Sequence, residues 1–356
     1  HPTLAQITPD NTLGDENSIV TPNQTIRDAV ADLIEGGAIR DSNLFHSFLE
    51  FNVGNGQRVY FANPDGITNI LTRVTGNNLS QILGTLGVNG SANLFLLNPN
   101  GINFGANASL DVAGSFVAST ADSAVFDNGF NFSASDPNAP PLLTINIPTG
   151  LQYGSNPGPV NVIGATLGMD TGQTMALLGG EVNLNGATLQ VPGGRVELGG
   201  LSSPGTVTLN GATSVSFPDV VQLADVSLTN GSLVDVTSVN GGTIAINSAN
   251  FEMSQSTLQA GLTDGAGISN AVAGNITINT NGNTNLSDRS LIANDIDTLA
   301  IGNGGFIQLT TSGLTITGGS RIQTVTNSNG GSGDIEINAN GAIDISGFTE
   351  DEIGRA

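Results

Sequence analysis

Short stretches of alternating apolar and polar residues fill the chain from residue 160 onward. Two apolar residues flank a polar one in segments that Asn-Gly, Gly-Gly or Pro-Gly pairs separate: 182–184, 196–198, 207–209, 226–228 and 233–236. An alternation with a period of two is the pattern of a β-strand that buries one face, and the Gly-containing pairs are typical of turns. The pattern therefore predicts an all-β chain of many short strands and tight turns.

The same pattern repeats at a longer interval near the end of the chain. Four isoleucines that begin strand-like segments are spaced by 32, 31 and 28 positions: Ile244, Ile276, Ile307 and Ile335. One segment of this length cannot bury its own apolar stripe, whereas stacked copies create a continuous core. The repeat predicts a parallel β-helix, in which about ten to thirteen coils would stack at the usual strand spacing of about 4.8 Å.

The N-terminal segment allows two interpretations. Its apolar residues have the spacing of one helix face: Ile26, Val30, Leu33 and Ile34. Gly36-Gly37 would end such a helix. Alternatively, short strands pair around these two glycines, with residues 38–40 returning as part of a cap. The residues alone do not decide between a helix and cap strands over 25–36.

A β-helix needs a cover at its first coil, because that coil exposes an apolar cross-section and unpaired strand edges. Residues 44–61 are rich in phenylalanine, and we expect them to provide this cover. The predicted N-terminal cap spans about residues 1–60, and its motif residues are Leu44, Phe45, His46, Phe48 and Phe51. His46 is interpreted as a packing or hydrogen-bonding residue, and Arg58 and Arg73 as members of surface salt bridges.

Prolines interrupt the strand pattern between residues 127 and 160. They are Pro137, Pro140, Pro141, Pro148, Pro157 and Pro159. Proline cannot donate a backbone hydrogen bond to a neighbouring strand, and interior strands therefore exclude it. We interpret 127–160 as an excursion from the β-helix, which forms a surface hairpin packed against one face.

Two turn motifs of the form Asn-Pro-x-Gly follow strand-like segments. The first consists of Asn63, Pro64, Asp65, Gly66 and Ile67, and the second of Asn98, Pro99, Asn100, Gly101 and Ile102. The apolar residues 94–97 before the second motif predict a strand buried on both faces. Proline presets φ for the turn, and glycine can take the positive φ with which the next strand begins. The two copies indicate one structural unit used twice.

These motifs, in their order along the chain, resemble those of the haemagglutination-activity domain: 44–48, 50–53, 61–64 and 98–102. That domain opens the filamentous-haemagglutinin-like exoproteins of two-partner secretion in Gram-negative bacteria. The resemblance covers about residues 18–121, and Gly- and Asn-rich repeats of the kind that such exoproteins carry follow it. It implies a right-handed parallel β-helix with an N-terminal cap and extra-helical hairpin excursions.

The resemblance also implies a partner and a destination. An outer-membrane transporter with periplasmic POTRA domains would recognise the domain, which would cross the periplasm and nucleate β-helix folding outside the cell, at the surface or in the medium. Residues 1–240 would form the secretion domain, and residues 241–356 the first repeats of an adhesin-like shaft. Binding of host or surface glycans would fall to the missing downstream shaft, and a monomer is expected. The chain has no cysteine, and a disulfide formed in the periplasm would block threading.

The charge balance excludes several kinds of partner. The net charge is −22, and all eight basic residues are arginines. A nucleic-acid partner is excluded because no basic patch could release counterions. No apolar stretch approaches the ~20 residues of a membrane helix, and we expect no membrane insertion. Residues 4–8 resemble the remainder of a signal-peptide cleavage site, and the signal peptide itself is expected to be absent from this chain.

Catalytic chemistry has little support in the sequence. The only histidines are His1 and His46, and the chain has neither a cysteine nor a lysine nucleophile. The alternative hypothesis is a polysaccharide-binding or polysaccharide-degrading β-helix, which would need a carboxylate cluster with an arginine in a groove. Asp219, Asp225 and Arg195 are the candidates for that cluster. We predict no catalytic residue, no cofactor and no metal site.

Overall fold

The computed structural model describes residues 7–137, 148–211, 214–218, 221–263, 271–328 and 330–347. Within these ranges the chain forms strands and no helix. Along most of the described chain, successive strands belong to different sheets, and each pairs in parallel with the equivalent strand of the next coil. The predicted β-helix is thereby confirmed.

Three faces surround the core, and a regular coil contributes one strand to each. Face 1 is a 12-stranded sheet. Two of its strands, Ile7–Pro9 and Ala38–Arg40, run antiparallel to their neighbour. The others run parallel and are, in order, Asn43–Phe51, Asn69–Val74, Asn93–Leu97, Phe116–Ser119, Thr174–Leu178, Arg195–Gly199, Thr243–Ser248, Ile276–Thr280, Ile307–Thr311 and Ile335–Ala339.

Faces 2 and 3 complete each coil. Face 2 is a nine-stranded sheet of Ser80–Ile82, Ile102–Phe104, Val160–Ile163, Glu181–Asn185, Asp225–Thr229, Phe251–Ser254, Asn283–Ser287, Gly313–Ile316 and Ile343–Ile345. Face 3 starts with a five-stranded sheet of Ser18–Ile26, Ala29–Gly36, Arg58–Ala62, Thr85–Asn89 and Ser109–Asp111. It continues with a six-stranded sheet of Thr166–Gly168, Thr188–Gln190, Leu233–Asp235, Thr257–Leu262, Leu291–Ile296 and Arg321–Gln323. Ala271–Val272 and Gly302–Asn303 form a separate two-stranded sheet.

Equivalent side chains stack in register along the core. The isoleucines that predicted the repeat lie opposite one another in consecutive coils: Ile244, Ile276, Ile307 and Ile335. Their spacing is therefore the coil length in this part of the rod. Because every coil places an apolar residue at the same position, one continuous core runs from the first coil to the last described one.

The N-terminal segment forms strands and not a helix. Ser18–Ile26 and Ala29–Gly36 pair as an antiparallel hairpin, which we call the cap hairpin. Its turn is Arg27-Asp28, where both residues have left-handed backbone, with φ of 50° and 60°. Of the two interpretations of residues 25–36, the cap strands are therefore correct.

The chain at Gly36-Gly37 is not the hairpin turn that this interpretation assumed. The chain leaves face 3 at these glycines, and the next strand, Ala38–Arg40, pairs with Asn43–Phe51 in face 1. Both glycines have positive φ, of 67° and 81°, and a Cβ on Gly37 would lie 2.6 Å from the carbonyl oxygen of Phe45. The two glycines turn the chain from one face to the next at a place where a side chain would collide with the first coil.

The phenylalanine-rich segment is the first coil and not its cover, so this part of the prediction is wrong. Asn43–Phe51 runs parallel to Asn69–Val74, and Arg58–Ala62 runs parallel to Thr85–Asn89. Its large side chains fill the coil, where they have neighbours on all sides. Earlier residues cover the strand edges: the antiparallel strands of face 1 lie beside the first coil, and the cap hairpin pairs with its strand in face 3.

In the described ranges two excursions leave the β-helix: the one predicted from the prolines and a second one later in the chain. Ser123–Phe126, Asn131–Ser133 and Pro148–Tyr153 belong to the first, and Gly205–Leu209 and Val215–Ser216 to the second. Together they form one five-stranded antiparallel sheet, which we call the excursion sheet. It covers the outer side of face 1 and forms a second apolar core there.

The boundaries of the excursions differ from the prediction. The first begins at residue 123 and not at 127, and its residues 138–147, with Pro140 and Pro141, lie outside the described residues. Residues 207–209 were predicted to form a coil strand, but they pair antiparallel within the excursion sheet. The prediction was wrong because a half-buried strand shows the same alternation in either kind of sheet.

Candidate functional site

The second Asn-Pro-x-Gly turn connects face 1 to face 2. The N–H of Gly101 donates to the carbonyl of Asn98 at 3.1 Å, and Gly101 has a φ of 124°. The side chain of Asn98 is buried, and its oxygen accepts a 3.0 Å hydrogen bond from the N–H of Asn100. Its amide donates to the carbonyl of Asn78 and to the hydroxyl of Ser80, both at 3.0 Å. Asn98 thereby fixes the turn to the preceding coil.

The next coil contacts the same turn from the other side. The N–H of Gly158 donates to the carbonyl of Pro99 at 2.8 Å, and the N–H of Ile102 donates to the carbonyl of Pro159 at 3.0 Å. A side chain on Gly158 would collide with the backbone of Asn100. The turn therefore determines how closely the following coil can approach.

The apolar run before this turn is buried on both sides, as predicted. Leu94 and Leu96 point into the β-helix core, whereas Phe95 and Leu97 pack against the excursion sheet. All four are at most 1% exposed. All four residues are apolar because this strand lies between two apolar cores. A strand with one face in solvent would alternate apolar and polar residues instead.

The first Asn-Pro-x-Gly turn occupies a different corner of the coil. It follows Arg58–Ala62 of face 3 and leads to face 1. The side-chain oxygen of Asn63 accepts from the N–H groups of Ser91 and Ala92, both at 2.9 Å, and so holds the following coil. The interpretation of one unit used twice is therefore wrong, although both asparagines bind a neighbouring coil.

The remaining residues of the first motif close its turn. The N–H of Ile67 donates to the carbonyl of Pro64 at 3.2 Å, and Gly66 has a φ of 85°. Ile67 is buried, whereas Pro64 and Asp65 are exposed. This turn therefore presents its tip to solvent, unlike the second turn, which lies between two coils.

Four of the predicted cap-motif residues fill the interior of the first coil: Leu44, His46, Phe48 and Phe51. Phe48 packs edge-on against Phe51, with ring centroids 5.2 Å apart. Phe45 points outward and packs edge-on against Phe132 of the excursion sheet at 5.0 Å. The motif thus joins the β-helix core to the excursion sheet.

His46 is fully buried, and its Nδ1 lies 2.9 Å from the hydroxyl of Ser18. Its ring centroid lies 5.2 Å from that of Phe61. Burial lowers the pKa of His46 to about 3, so the ring is neutral near pH 7. The interpretation as a packing and hydrogen-bonding residue is confirmed, and the bond to Ser18 ties the first coil to the cap hairpin.

Arg73 lies in a buried polar network and not in a surface salt bridge, which corrects the prediction. It is 3% exposed. Its guanidinium donates to the hydroxyls of Ser47 and Thr12 at 2.9 and 2.8 Å, and to the carbonyl of Ser133 at 2.6 Å. Burial lowers the pKa of Arg73 to about 10, which leaves it charged near pH 7. One cation therefore links the first two coils, the N-terminal segment and the first excursion.

Asp10 supplies the negative charge of this network. It accepts hydrogen bonds from the hydroxyls of Thr75 at 2.5 Å and Ser47 at 2.8 Å, and from the N–H of Thr12 at 3.0 Å. Burial alone would raise the pKa of Asp10, but these hydrogen bonds together hold it below its usual value. Asp10 thus attaches the N-terminal strand to both coils.

A second network lies between the cap hairpin and the outer side of face 3. Tyr60 is fully buried there and packs with Ile26 and Ala31 of the hairpin. Its hydroxyl donates to Asp111 at 2.6 Å and accepts from Arg58 at 2.7 Å. Burial and the carboxylate of Asp111 raise the pKa of Tyr60, so the phenol stays a neutral donor.

Arg27, at the tip of the cap hairpin, completes the second network. It forms an ion pair with Asp111 and donates to the carbonyl of Val88 at 3.2 Å. These contacts were not predicted from the sequence. Gly87 is the one sequence feature that points to them, because a side chain there would collide with the ring of Tyr60. Its meaning becomes clear only when the pairing of Tyr60 with Gly87 is known.

Two of the three residues considered for polysaccharide chemistry, Asp225 and Arg195, lie on different faces of the β-helix. Asp225 begins a strand of face 2 and accepts from the N–H of Asn250 at 2.9 Å, whereas Arg195 begins a strand of face 1 and pairs with Glu197. Asp219 lies outside the described residues.

In the described ranges no group of three or more His, Asp or Glu could hold a metal ion. A helix that is long and apolar enough to cross a membrane is also not found among these residues.

Glu197 is a buried carboxylate beneath the second excursion, with an exposure of 1%. Its Oε1 accepts from Arg195 and from the N–H of Val215, while its Oε2 has no protein partner. Burial raises the pKa of Glu197, and the nearby Arg195 only partly opposes this. The charged form is therefore poorly compensated in the folded protein.

Comparisons with known proteins identify related chains. A family model described as the TPS (two-partner secretion) secretion domain matches residues 5–247. A heme/hemopexin-binding protein of Haemophilus influenzae is 38% identical over 79 residues, which are 22% of this chain and 8% of that protein. The HMW1 secretion domain from Haemophilus influenzae superposes with a TM-score of 0.63 at 18% identity, over 94% of this chain and 76% of that one. A filamentous hemagglutinin secretion domain gives a TM-score of 0.44 at 16% identity, over 96% and 99%.

The likeness to the HMW1 domain shows the fold, and the family model covers the cap, the first coils and both excursions. The resemblance read from the ordered motifs is therefore confirmed. The chain belongs to the TPS secretion domain family of haemagglutinin-like exoproteins.

Proposed function

We propose that this domain engages the periplasmic POTRA domains of a cognate outer-membrane transporter and nucleates β-helix folding outside the cell. A TPS secretion domain implies such a transporter, and exoproteins of this kind cross the outer membrane from the periplasm. The observation that carries the proposal is the family match over residues 5–247.

The chain would meet the transporter before it folds. Strands such as Asn43–Phe51 and Asn93–Leu97 are buried in the folded rod. In the unfolded chain their backbone donors and acceptors are free, so an extended segment can add to the edge of a POTRA sheet by β-augmentation. Folding outside would then bury these segments, which makes return to the periplasm unfavourable without any nucleotide hydrolysis.

We propose further that the secretion domain ends near residue 240 and that residues 241–356 begin the shaft. The family match ends at 247, close to this boundary. The two parts would share one core, because Leu233–Asp235 pairs in parallel with Thr257–Leu262 across it. We assign binding of host or surface glycans to the downstream shaft, and we expect the exported rod to be a monomer at the cell surface or in the medium.

A binding experiment with purified POTRA domains tests the proposal. The chain is added either rapidly diluted from denaturant or after complete refolding, and binding is followed by surface plasmon resonance. We expect binding of the unfolded chain and at least tenfold weaker binding of the folded one, because folding removes the free strand edges. POTRA domains of a non-cognate transporter are the control. Absence of binding in both states, or equal binding to cognate and non-cognate domains, would refute the proposal.

We also propose that the chain is not an enzyme. This proposal is supported by the position of Asp225 and Arg195, which begin strands on different faces, whereas a glycoside hydrolase needs its paired acids on either side of one bond. The test is a depolymerisation screen with acidic and neutral polysaccharides, for which we expect no product above a heat-denatured control. Product release that disappears in Asp225→Ala or Asp219→Ala would overturn this and support a polysaccharide-degrading β-helix.

A further inference from the structure

We infer that the cap hairpin is a late-closing clasp, which closes on the β-helix only after the third coil and the first excursion have formed. The basis is that two separate polar networks attach the N-terminal segment, residues 7–36 with the cap hairpin at its end, to parts of the chain that come much later. Neither network can be completed by the hairpin and the first coil alone.

The network around Tyr60 requires the third coil. Arg27 pairs with Asp111, 84 positions later, and Tyr60 donates to the same carboxylate, 51 positions later. After the hairpin, face 3 continues with Arg58–Ala62, Thr85–Asn89 and Ser109–Asp111, and Asp111 ends the last of these. The side chains of Arg27 and Tyr60 therefore reach Asp111 across Thr85–Asn89. Before Ser109–Asp111 is in place, the phenol under the hairpin has lost water without gaining this acceptor.

The network around Arg73 requires the first excursion as well. Arg73 donates to Thr12 in the N-terminal segment and to the carbonyl of Ser133, and the two are 61 and 60 positions away. Its guanidinium also lies over the ring of Phe132, at 4.4 Å from the centroid. Removing one partner of a buried charge is strongly unfavourable, so closure of the N-terminal segment over Arg73 is favourable only when the excursion is present.

The order of closure has a consequence for export, and this consequence rests on the proposed function. While residues up to Ser133 are still inside the transporter, the N-terminal segment lacks partners for both networks. It therefore remains open until the first coils and the excursion are outside. The clasp itself is a property of the chain alone, so it can be tested without the transporter.

The first test is pulsed hydrogen exchange with mass spectrometry during refolding of the full chain from denaturant. We expect backbone protection in residues 69–111 to appear before protection in residues 18–36. Protection of 18–36 that appears together with, or ahead of, that of 69–111 would overturn the inference. Because no transporter is present, a failure of the POTRA binding experiment would leave this result unaffected.

The second test uses variants of the Tyr60 network. Asp111→Asn is expected to unfold about tenfold faster and Arg27→Gln about fivefold faster, because Asp111 also accepts from Tyr60. Both should refold within a factor of two of the parent, because contacts formed late affect mainly the unfolding rate. The double variant should unfold no faster than Asp111→Asn alone, because the ion pair of Arg27 is already absent in that variant. Arg40→Gln is the matched control: it breaks an ion pair of similar exposure with Glu16 that does not reach the third coil, and it should change neither rate more than twofold.

Refolding kinetics distinguish the two outcomes. If Arg27→Gln slows refolding by the full factor by which it lowers stability, the contact with Asp111 is already present in the transition state. The cap hairpin would then close early, and the inference would be wrong.

Discussion

The side-chain amide of Asn98 lies 3.0 Å from the hydroxyl of Ser80 and joins a turn to the preceding coil. The contact is buried, so no solvent can replace it when it is lost. Together with the bond to the carbonyl of Asn78, it fixes the distance between two coils at one corner. The corner asparagines, and not only the apolar stripe, therefore determine the stacking.

Asn98→Ala is expected to lower the free energy of unfolding by about 2–4 kcal/mol, because it leaves buried polar groups without their partner. Urea unfolding followed by circular dichroism measures this. Asn107→Ala is the control, since Asn107 is exposed and bonds only to Asn55 in the described contacts; its effect should stay below about 0.5 kcal/mol. Equal effects of the two substitutions would show that the corner bond does not hold the coils.

Gly101→Val is expected to reduce both stability and export more than Asp65→Asn. Gly101 has a φ of 124°, and a Cβ there would lie 3.1 Å from the carbonyl oxygen of Pro159. The backbone strain alone costs about 1–3 kcal/mol for a β-branched residue. Asp65 is exposed at the tip of the other turn and tolerates asparagine. Thermal melting and the amount recovered outside transporter-bearing cells are the readouts; parent-like values for Gly101→Val would contradict this account of the turn.

Acid is expected to destabilise the folded domain through His46. Its pKa is about 3 when folded and near 6.5 when unfolded, so below pH 6.5 the unfolded chain binds a proton that the folded one does not. Stability is fully present above pH 6.5 and falls as the pH is lowered, by about 2 kcal/mol between pH 7 and pH 5. His46→Asn should lack this part of the pH dependence. If the free energy of unfolding of the parent and of His46→Asn fell equally between pH 7 and pH 5, His46 would not be the cause.

Glu197 should give the folded domain the opposite pH dependence, with stability that falls as the pH rises. Because burial raises its pKa, the folded protein holds a proton more tightly than the unfolded one, and stability is lost as the pH rises through the folded pKa. Glu197→Gln keeps the size of the side chain and removes the charge. We expect it to melt at or above the temperature of the parent at pH 8, with a smaller gain on acidification to pH 5. A variant that melts several degrees lower at pH 8 would show that the pair with Arg195 outweighs the cost of burial.

The regular part of the fold could be predicted because each coil needs apolar residues at the same positions. Ile244 and Ile276 stack at the predicted spacing, since a coil of constant length must return an apolar residue to the same place. The buried run Leu94 to Leu97 was also predictable, because only a strand with two apolar sides has no polar position.

The irregular parts could not be predicted because their reasons lie in contacts between distant residues. Residues 207–209 look like a coil strand until their partner, Pro148–Tyr153, is known. Arg73 looks like a surface residue because nothing near it in sequence indicates Thr12 and Ser133. His46 was predicted and does contact the cap hairpin, but Arg27, Arg73 and Asp111, which also hold the N-terminal segment, were not indicated by the pattern.

The strands beside the first coil also give the rod a direction. Ile7–Pro9 and Ala38–Arg40 both pair antiparallel with Asn43–Phe51, so the parallel register stops there. A new coil in the same register can be added only on the opposite side. The folded domain is thus a one-ended template, on which coils in the parallel register are added with a single polarity.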